Sequence, residues 1–248
     1  MRGGERVLEA LCELFPEAPI YTLIHKPGAT SPIIDRHEIK TSFLNKIPGI
    51  YQGYRKFLPL FPLAADSLHI KEKADLVISS SHCVIKAVKK PKGARHLSYV
   101  HSPMRYVWDM TQDYFPYEFE DGSPGSLFNR FVFPFFANYL RMWDSASAHR
   151  VDRYIANSSF VAERIRKYYG RSAGVVPPPC IEEIPRSLPK ERSDFYLIVN
   201  ALVPYKRVDL AIEAFRNLNR KLIIVGDGPD LKRLKSMAGP EIEFHGKV

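Results

Sequence analysis

The sequence predicts an α/β protein of two layered domains facing each other across a cleft, the second of them incomplete. Three observations lead there. Short apolar runs suited to strands alternate with stretches of helical spacing over residues 1–180, and the alternation resumes over 194–248. Between the two series, residues 181–193 are rich in Pro, Glu, Lys and Arg, the composition of an interdomain linker. The plainest strand–turn–helix unit is 195–215. It opens on an unbroken apolar run (Tyr196, Leu197, Ile198, Val199) that suits a strand buried on both faces of a parallel sheet. A polar turn with Pro204, Lys206 and Arg207 follows, and then Leu210, Ala211, Ala214, Phe215 and Leu218 recur at helical spacing, with Asp209 complementing the helix start. A cationic turn before a helix N-terminus is a place for phosphate.

In chain order, residues 1–15 start with Gly3-Gly4 and run into an amphipathic helix with Val7, Leu8, Leu11, Leu14 and Phe15 on its apolar face. Two readings fit the glycine pair: a close backbone approach to an anion, or a flexible terminus. Such a loop normally follows a strand, and none precedes it. Residues 18–25 read as a strand. Over 40–65, Phe43, Tyr51, Tyr54, Phe57 and Phe61 interleave with Lys40, Lys46, Arg55 and Lys56. That pattern fits a membrane-touching surface and equally a Pro-rich loop and short helix packed on the core. Residues 74–81 form a buried strand ending in small polar residues, and 84–88 open a short helix.

The run 95–101 is the next strand, and it puts His101 at a carboxyl end, where open parallel sheets bind ligands. A lone histidine is usually structural; this position gives it weight as a functional residue. Arg105 and Asp109 are nearby, with support of the loop as their alternative role. Residues 113–125 are acidic and turn-rich, hence a loop. The aromatic stretch 127–148 reads as a long helix interrupted near Pro134 and packed into the core. A strand at 153–157, a helix N-cap at Ser158-Ser159 and a helix over 160–169 stopped by Gly170 complete the first series. In the second, 221–225 is a strand, Gly226-Asp227-Gly228-Pro229 is a tight strand-to-helix turn, 230–238 is a helix and 242–248 a strand. The GDGP turn is by itself a weak phosphate signal, since any such turn favours glycine. The second series has about 55 residues against a usual domain of roughly 100–150, and a parallel sheet cut there leaves an open edge. The expectation is a longer protein, lacking its first strand here and much of its second domain.

Composition narrows the function classes. With 45% hydrophobic and 25% charged residues, the 248-residue chain is ordinary for a globular protein. No apolar run approaches 18 residues, and no secretory signal opens the chain, so a cytoplasmic setting is expected. Three cysteines, Cys12, Cys83 and Cys180, stand far apart without a CxxC spacing, which indicates neither disulfides nor zinc. The net charge of +9 favours anionic partners: nucleotide-sugar phosphates, an anionic membrane or nucleic acid. Without an RGG tract, basic tail or C2H2 spacing, nucleic acid is the weakest of the three.

The motifs NALVPYKRVDLAIEAF and LIIVGDGPDLKRL, with RGGERVLEAL in front, YVHSP in the middle and IANSSFVAERI before the linker, resemble family 4 glycosyltransferases. The resemblance implies the GT-B architecture of two Rossmann-like domains, 1–180 on the acceptor side and 194–248 on the donor side. Within the family the chain looks most like bacterial mannosyltransferases of surface polysaccharide assembly. The implied reaction moves a hexose, mannose favoured, from a nucleotide sugar (GDP-mannose favoured) to a glycan or lipid-linked acceptor with retention of configuration. No metal or other cofactor is implied, and no Asp-x-Asp motif suggests one.

By the same resemblance Gly3 and Gly4 meet the donor phosphate and sugar, His101 lies near the transferred sugar, and Lys206 neutralises the donor diphosphate. Arg207 either contributes beside it or is a solvated surface charge; Gly226 and Gly228 belong to the donor-binding turn. Two departures stand out. Ala201 occupies the position where many members carry an arginine five residues before the lysine. The family's pair of glutamates separated by seven residues falls beyond Val248. The alternative reading is therefore a non-catalytic remnant or binding module of the same fold. Contact through 40–65 would make the protein peripheral on the inner membrane face.

Overall fold

The computed structural model describes residues 3–114, 127–179, 193–218 and 220–247. The chain divides into two compact units, 1–181 and 182–248. The predicted linker, Ser193 apart, and most of the predicted acidic loop at 113–125 lie outside the described residues.

In the first unit, helix α1 (Gly3–Leu14) leads to β1 (Ile20–Thr22), α2 (Pro32–Asp35) and β2 (Ile39–Thr41), and β1 and β2 pair in parallel. Short helical turns follow at Phe43–Lys46, α3 (Ile50–Gly53), Tyr54–Leu60 and α4 (Phe61–Ser67). Then come β3 (Leu76–Ser81), a 3-10 turn at Val84–Ala87, β4 (Arg95–Val100), α5 (Arg105–Trp108) and α6 (Thr111–Tyr114). A π-helical turn at Phe128–Val132 runs into α7 (Phe133–Ala146), and β5 (Arg153–Ala156), α8 (Ser159–Tyr169) and β6 (Ala173–Val175) close the unit. The main sheet is parallel throughout, in the order β3-β4-β5-β6. The local signals behave as their chemistry dictates. The Ser158 hydroxyl accepts from the Val161 amide, and Gly170 ends α8 in the left-handed conformation at φ 63°. Pro134 sits in the first turn of α7, where a missing N–H costs nothing, so the break falls before the helix and not within it.

Burial departs from expectation on two helices. Leu14 and Phe15, assigned to the apolar face of the first helix, are exposed, and α1 buries Val7, Glu9 and Cys12 instead. The aromatic stretch is core on one side only. Phe133, Ala137 and Leu140 are buried in one cluster with Leu58, Phe61 and Met104, while Phe131, Phe135, Tyr139 and Met142 face outward. Aromatic density alone could not show which face met a neighbour. Residues 40–65 divide similarly: Leu44, Ile50, Leu58 and Phe61 are core, and Phe43, Tyr51, Tyr54, Leu60 and Leu63 are exposed. Among the described residues, no helix is long and apolar enough to cross a membrane.

A buried ion pair locks the helices of this unit together. Lys86 is 1% exposed and Asp144 of α7 is 0% exposed. The Lys86 ammonium lies 3.0 Å from Asp144 Oδ1 and donates to the Asp144 carbonyl at 2.8 Å and the Ser147 hydroxyl at 3.0 Å. Its charge also stands 4.6 Å from the Tyr169 ring centroid. The carboxylate accepts from Trp108 Nε1 at 2.8 Å and from the Tyr169 hydroxyl at 3.0 Å. Burial pushes the lysine toward its neutral form, and the Asp144 charge opposes that shift. With every donor and acceptor engaged, the network joins four segments: the turn after β3, α5, α7 and α8.

The second unit is a parallel sheet β7-β8-β9 with β7 (Tyr196–Val199), β8 (Leu222–Val225) and β9 (Ile242–Phe244). Helices α9 (Val208–Arg216) and α10 (Leu231–Met237) contribute Ile212 and Leu234 to its core, beside Leu202, Leu222 and Ile224. The strand predicted to be buried on both faces is not. Tyr196, Leu197 and Val199 are exposed, Ile198 packs on the core, and the Tyr196 ring meets Phe215 edge-on with centroids 5.0 Å apart; β7 has β8 as its sole described partner. Pro229 precedes the N-cap Asp230 of α10 and does not open the helix itself.

Lys86→Met removes one partner of the buried pair and leaves the Asp144 carboxylate uncompensated. A loss of about 3–5 kcal/mol is expected, read as a lower urea midpoint at unchanged slope; stability within 1 kcal/mol of wild type would contradict the account.

Candidate functional site

Parallel pairing sets Ser80 opposite Tyr99 and Ser81 opposite Val100, so β3 and β4 finish side by side. His101 follows directly. Its amide donates to the Ser81 carbonyl at 2.8 Å, and its own carbonyl accepts from Asn157 Nδ2 at 3.2 Å, at the end of β5. Three strand ends therefore hold this one residue. Its imidazole Nε2 is 2.8 Å from the Ser80 hydroxyl, and the ring meets Tyr99 edge-on with centroids 5.4 Å apart. Burial, with a smaller contribution from neighbouring His82, pushes the His101 imidazole down to about 4, so the ring is neutral at physiological pH.

The start of α1 lies against this ring. A Cβ placed on Gly4 would stand 3.4 Å from His101 Nε2 and 3.7 Å from each carbon beside it, in van der Waals contact with the ring. A Cβ on Gly3 would meet nothing within 4 Å. Of the glycine pair, Gly4 is the one that lies against the His101 ring. Gly4 and His101 are far apart in the chain, and the fold brings them together.

Asp109 turns out to support its loop. It pairs with Arg164 and with the Tyr168 hydroxyl, and Trp108 stacks on Tyr168 at 4.5 Å. Sequence reasoning missed Ser80 and Asn157. The signal for the first was there in the small polar residues at the carboxyl end of the 74–81 run; Asn157 stood one residue before the helix cap.

In the second unit, Lys206 ends a 3-10 turn (Pro204–Lys206) and is exposed, its ammonium 5.9 Å from the Tyr205 ring centroid. Arg207 takes the left-handed conformation at φ 50°, the one non-glycine residue with positive φ among those described. Its guanidinium holds Asp209 with three donor contacts of 3.0–3.2 Å. That contact, ahead of all other causes, keeps the Asp209 carboxyl below its usual range. Arg207 thus clamps the first turn of α9, a role neither of its two sequence readings contained.

Gly226 and Gly228 are there for a steric reason. Gly226 has φ 145°, and a Cβ on it would fall 1.8 Å from the Asn200 carbonyl oxygen; at Gly228 the Leu202 oxygen would be 2.1 Å away. The turn after β8 is hydrogen-bonded to the loop after β7, Leu202 N–H to Asp227 O at 3.0 Å and Asp230 N–H to Leu202 O at 3.1 Å. The glycines therefore seat one loop on the other at the strands' carboxyl ends. Among the described residues no group of three His, Cys, Asp or Glu side chains could hold a metal ion.

The family description "Glycosyltransferase Family 4" matches residues 1–186. The chain belongs to glycosyltransferase family 4. A second description, "Glycosyl transferases group 1", matches residues 181–242 of this family 4 chain. Among solved structures it is similar to the lipopolysaccharide outer core galactosyltransferase WaaB in its apo form, at 16% identity and a TM-score of 0.55. It is also similar to Anabaena Alr3699/HepE in complex with UDP and glucose, at 12% identity and a TM-score of 0.56. Both matches cover 100% of this chain; it spans 65% and 66% of those chains. No curated protein sequence matches it. Two parallel-sheet units with these neighbours give the family 4 chain the GT-B fold of two Rossmann-like domains.

Gly226→Ala forces a Cβ into the Asn200 carbonyl at a backbone conformation that L side chains rarely adopt. A loss on the order of 4 kcal/mol or more is expected, seen as early melting of the second unit in hydrogen exchange. Wild-type protection there would refute the steric role.

Proposed function

We propose that the protein is a retaining glycosyltransferase that moves a hexose, mannose favoured, from a nucleotide sugar to a glycan or lipid-linked acceptor. The observation that carries the reading is the Gly4–His101 contact at the carboxyl ends of β3 and β4 in a family 4 chain. HepE, with the same fold, holds UDP and glucose, which supports a nucleotide-sugar donor; GDP-mannose is our preferred one.

On this reading each residue does something its surroundings suit it for. Gly3 and Gly4 let the first amides of α1 come close to the donor, where a helix start favours negative charge. His101 orients the sugar as a neutral ring. Lys206, exposed and beside the start of α9, neutralises the diphosphate as its bond to the sugar breaks. The leaving phosphate can take the acceptor's proton, with the acceptor hydroxyl held on the same face. Arg207 acts by fixing Asp209 and the turn, and Gly226 and Gly228 by seating the donor loop. The scheme calls on no metal ion.

Lys206→Ala is expected to lower kcat/KM for transfer about a hundredfold or more without changing the melting temperature, since the side chain is exposed. An unchanged rate would remove Lys206 from the mechanism. Activity with UDP-sugars and none with GDP-mannose would replace the preferred donor.

We also propose contact with an anionic membrane at the cytoplasmic face through 40–65. Its exposed Phe43, Tyr51, Tyr54, Leu60 and Leu63 accompany exposed Lys46 and Lys56, and the segment contains no acidic residue. Sedimentation with phosphatidylglycerol vesicles should fall in Leu60→Ser/Leu63→Ser protein and in high salt; equal sedimentation of both proteins would exclude this surface.

A further inference from the structure

His101 stands where a strand ends and the chain turns, and hydrogen bonds from two sides define that turn. Its amide donates to the Ser81 carbonyl of β3 at 2.8 Å, while its carbonyl accepts from Asn157 Nδ2 at the end of β5 at 3.2 Å. In a regular strand the N–H and C=O of one residue face the same neighbour, so the chain leaves strand geometry at His101; β4 closes at Val100. The ladder to β5 ends there too, with the Asn157 amide donating to the Val100 carbonyl at 3.4 Å. The next carbonyl has no strand donor, and the Asn157 side chain fills that place. Each peptide unit is planar. Anchoring the N–H of one unit and the C=O of the next therefore restrains both φ and ψ of His101, and with them the direction of its side chain.

The Asn157 amide is itself held. Its Oδ1 accepts from the Ser158 hydroxyl at 3.1 Å, and the Ser158 oxygen accepts from the Val161 amide at 3.3 Å as the N-cap of α8. A backbone amide can only donate and a carbonyl can only accept, so the two ends of this chain fix its direction. It runs from the Val161 N–H through the Ser158 hydroxyl and the Asn157 amide to the His101 carbonyl. Two turns further along α8, Arg164 donates to the Pro103 carbonyl at 3.4 Å and pairs with Asp109. The same helix thus braces the segment 101–109 at both ends.

We propose that Asn157 is a positioning residue, which ties the cap of α8 to the bend at His101 and so aims the histidine side chain. The role calls for asparagine. An aspartate fits the same space and still accepts from Ser158, but it turns an acceptor toward the His101 carbonyl; an alanine offers no donor. Strand pairing and Arg164 hold the rest of the segment independently, so loss of this one contact frees the bend without unfolding the unit. That His101 meets a donor sugar rests on the function proposed above; the hydrogen-bond chain does not.

Nitrogen-15 relaxation of the labelled protein reads the bend directly at the His101 and Ser102 amides. Their order parameters should be about 0.85 in the wild type, as for rigid backbone, and below about 0.6 in Asn157→Ala and Asn157→Asp, with α8 beyond Val161 unchanged. Ser158→Ala should also loosen His101, although no described hydrogen bond joins the two, and Ser158→Thr, which keeps the hydroxyl, should behave as wild type. Wild-type order at His101 in Asn157→Asp overturns the proposal, because that variant preserves both the packing and the cap. A mobile bend in the wild type overturns it as well, and a His101 unaffected by Ser158→Ala overturns the tie to the cap. In transfer assays both Asn157 variants should lower kcat about tenfold, the equivalent of one hydrogen bond, with the acceptor KM unchanged and Ser158→Thr near wild type. A normal kcat in both Asn157 variants removes the positioning role. If the wild type transfers no sugar from any nucleotide donor, the functional reading fails, and the relaxation result still decides whether Asn157 holds the bend.

Discussion

Because β3 and β4 run parallel, with Leu76 opposite Arg95 and Ser81 opposite Val100, their carboxyl ends finish level with each other. That register is the constraint on which the candidate site depends. An antiparallel pair, or a slip of one residue, would send the Ser80 hydroxyl to the far side of the sheet from His101. As it is, a serine at one strand end and a histidine just past the next share a hydrogen bond, and β5 supplies Asn157 to the same histidine. The last neighbour comes from α1, whose Gly4 lies against the His101 ring.

Holding strand ends still requires the segments that leave them to be held as well. The turn after β3 carries Lys86, and its buried pairing with Asp144 joins that turn to α5, α7 and α8. Such a pair adds little net stability compared with a well-packed apolar alternative, because two ions must be desolvated. Its consequence is geometric: every donor and acceptor in it has one satisfied arrangement. The second unit solves the same problem with backbone. There, glycines at 226 and 228 allow carbonyl oxygens to stand where a Cβ would otherwise be, and Arg207 with Asp209 fixes the turn that bears Lys206.

Much of the fold was legible in the chain. The strand–helix alternation, the Ser158 cap, the Gly170 stop and the placement of His101 at a strand end all follow from local chemistry, and local chemistry is what a sequence displays. The failures share a cause. Leu14, Phe15, Phe135 and Val199 are apolar and were expected inside, yet they are exposed, because burial depends on what stands opposite and not on the residue. A helical or strand period tells which residues share a face; it does not tell whether that face has a neighbour.

The sequence by itself determined the α/β class, the order of the elements, the family motifs and most of the candidate residues, since these rest on spacing along the chain. Only the tertiary structure decided what each does. It turned Gly4 from one of two glycines into the one that lies against His101, and it made Arg207 a clamp for Asp209. It also added Ser80, whose importance lies wholly in a contact across a strand pair. Distances between residues far apart in sequence are set by packing and register.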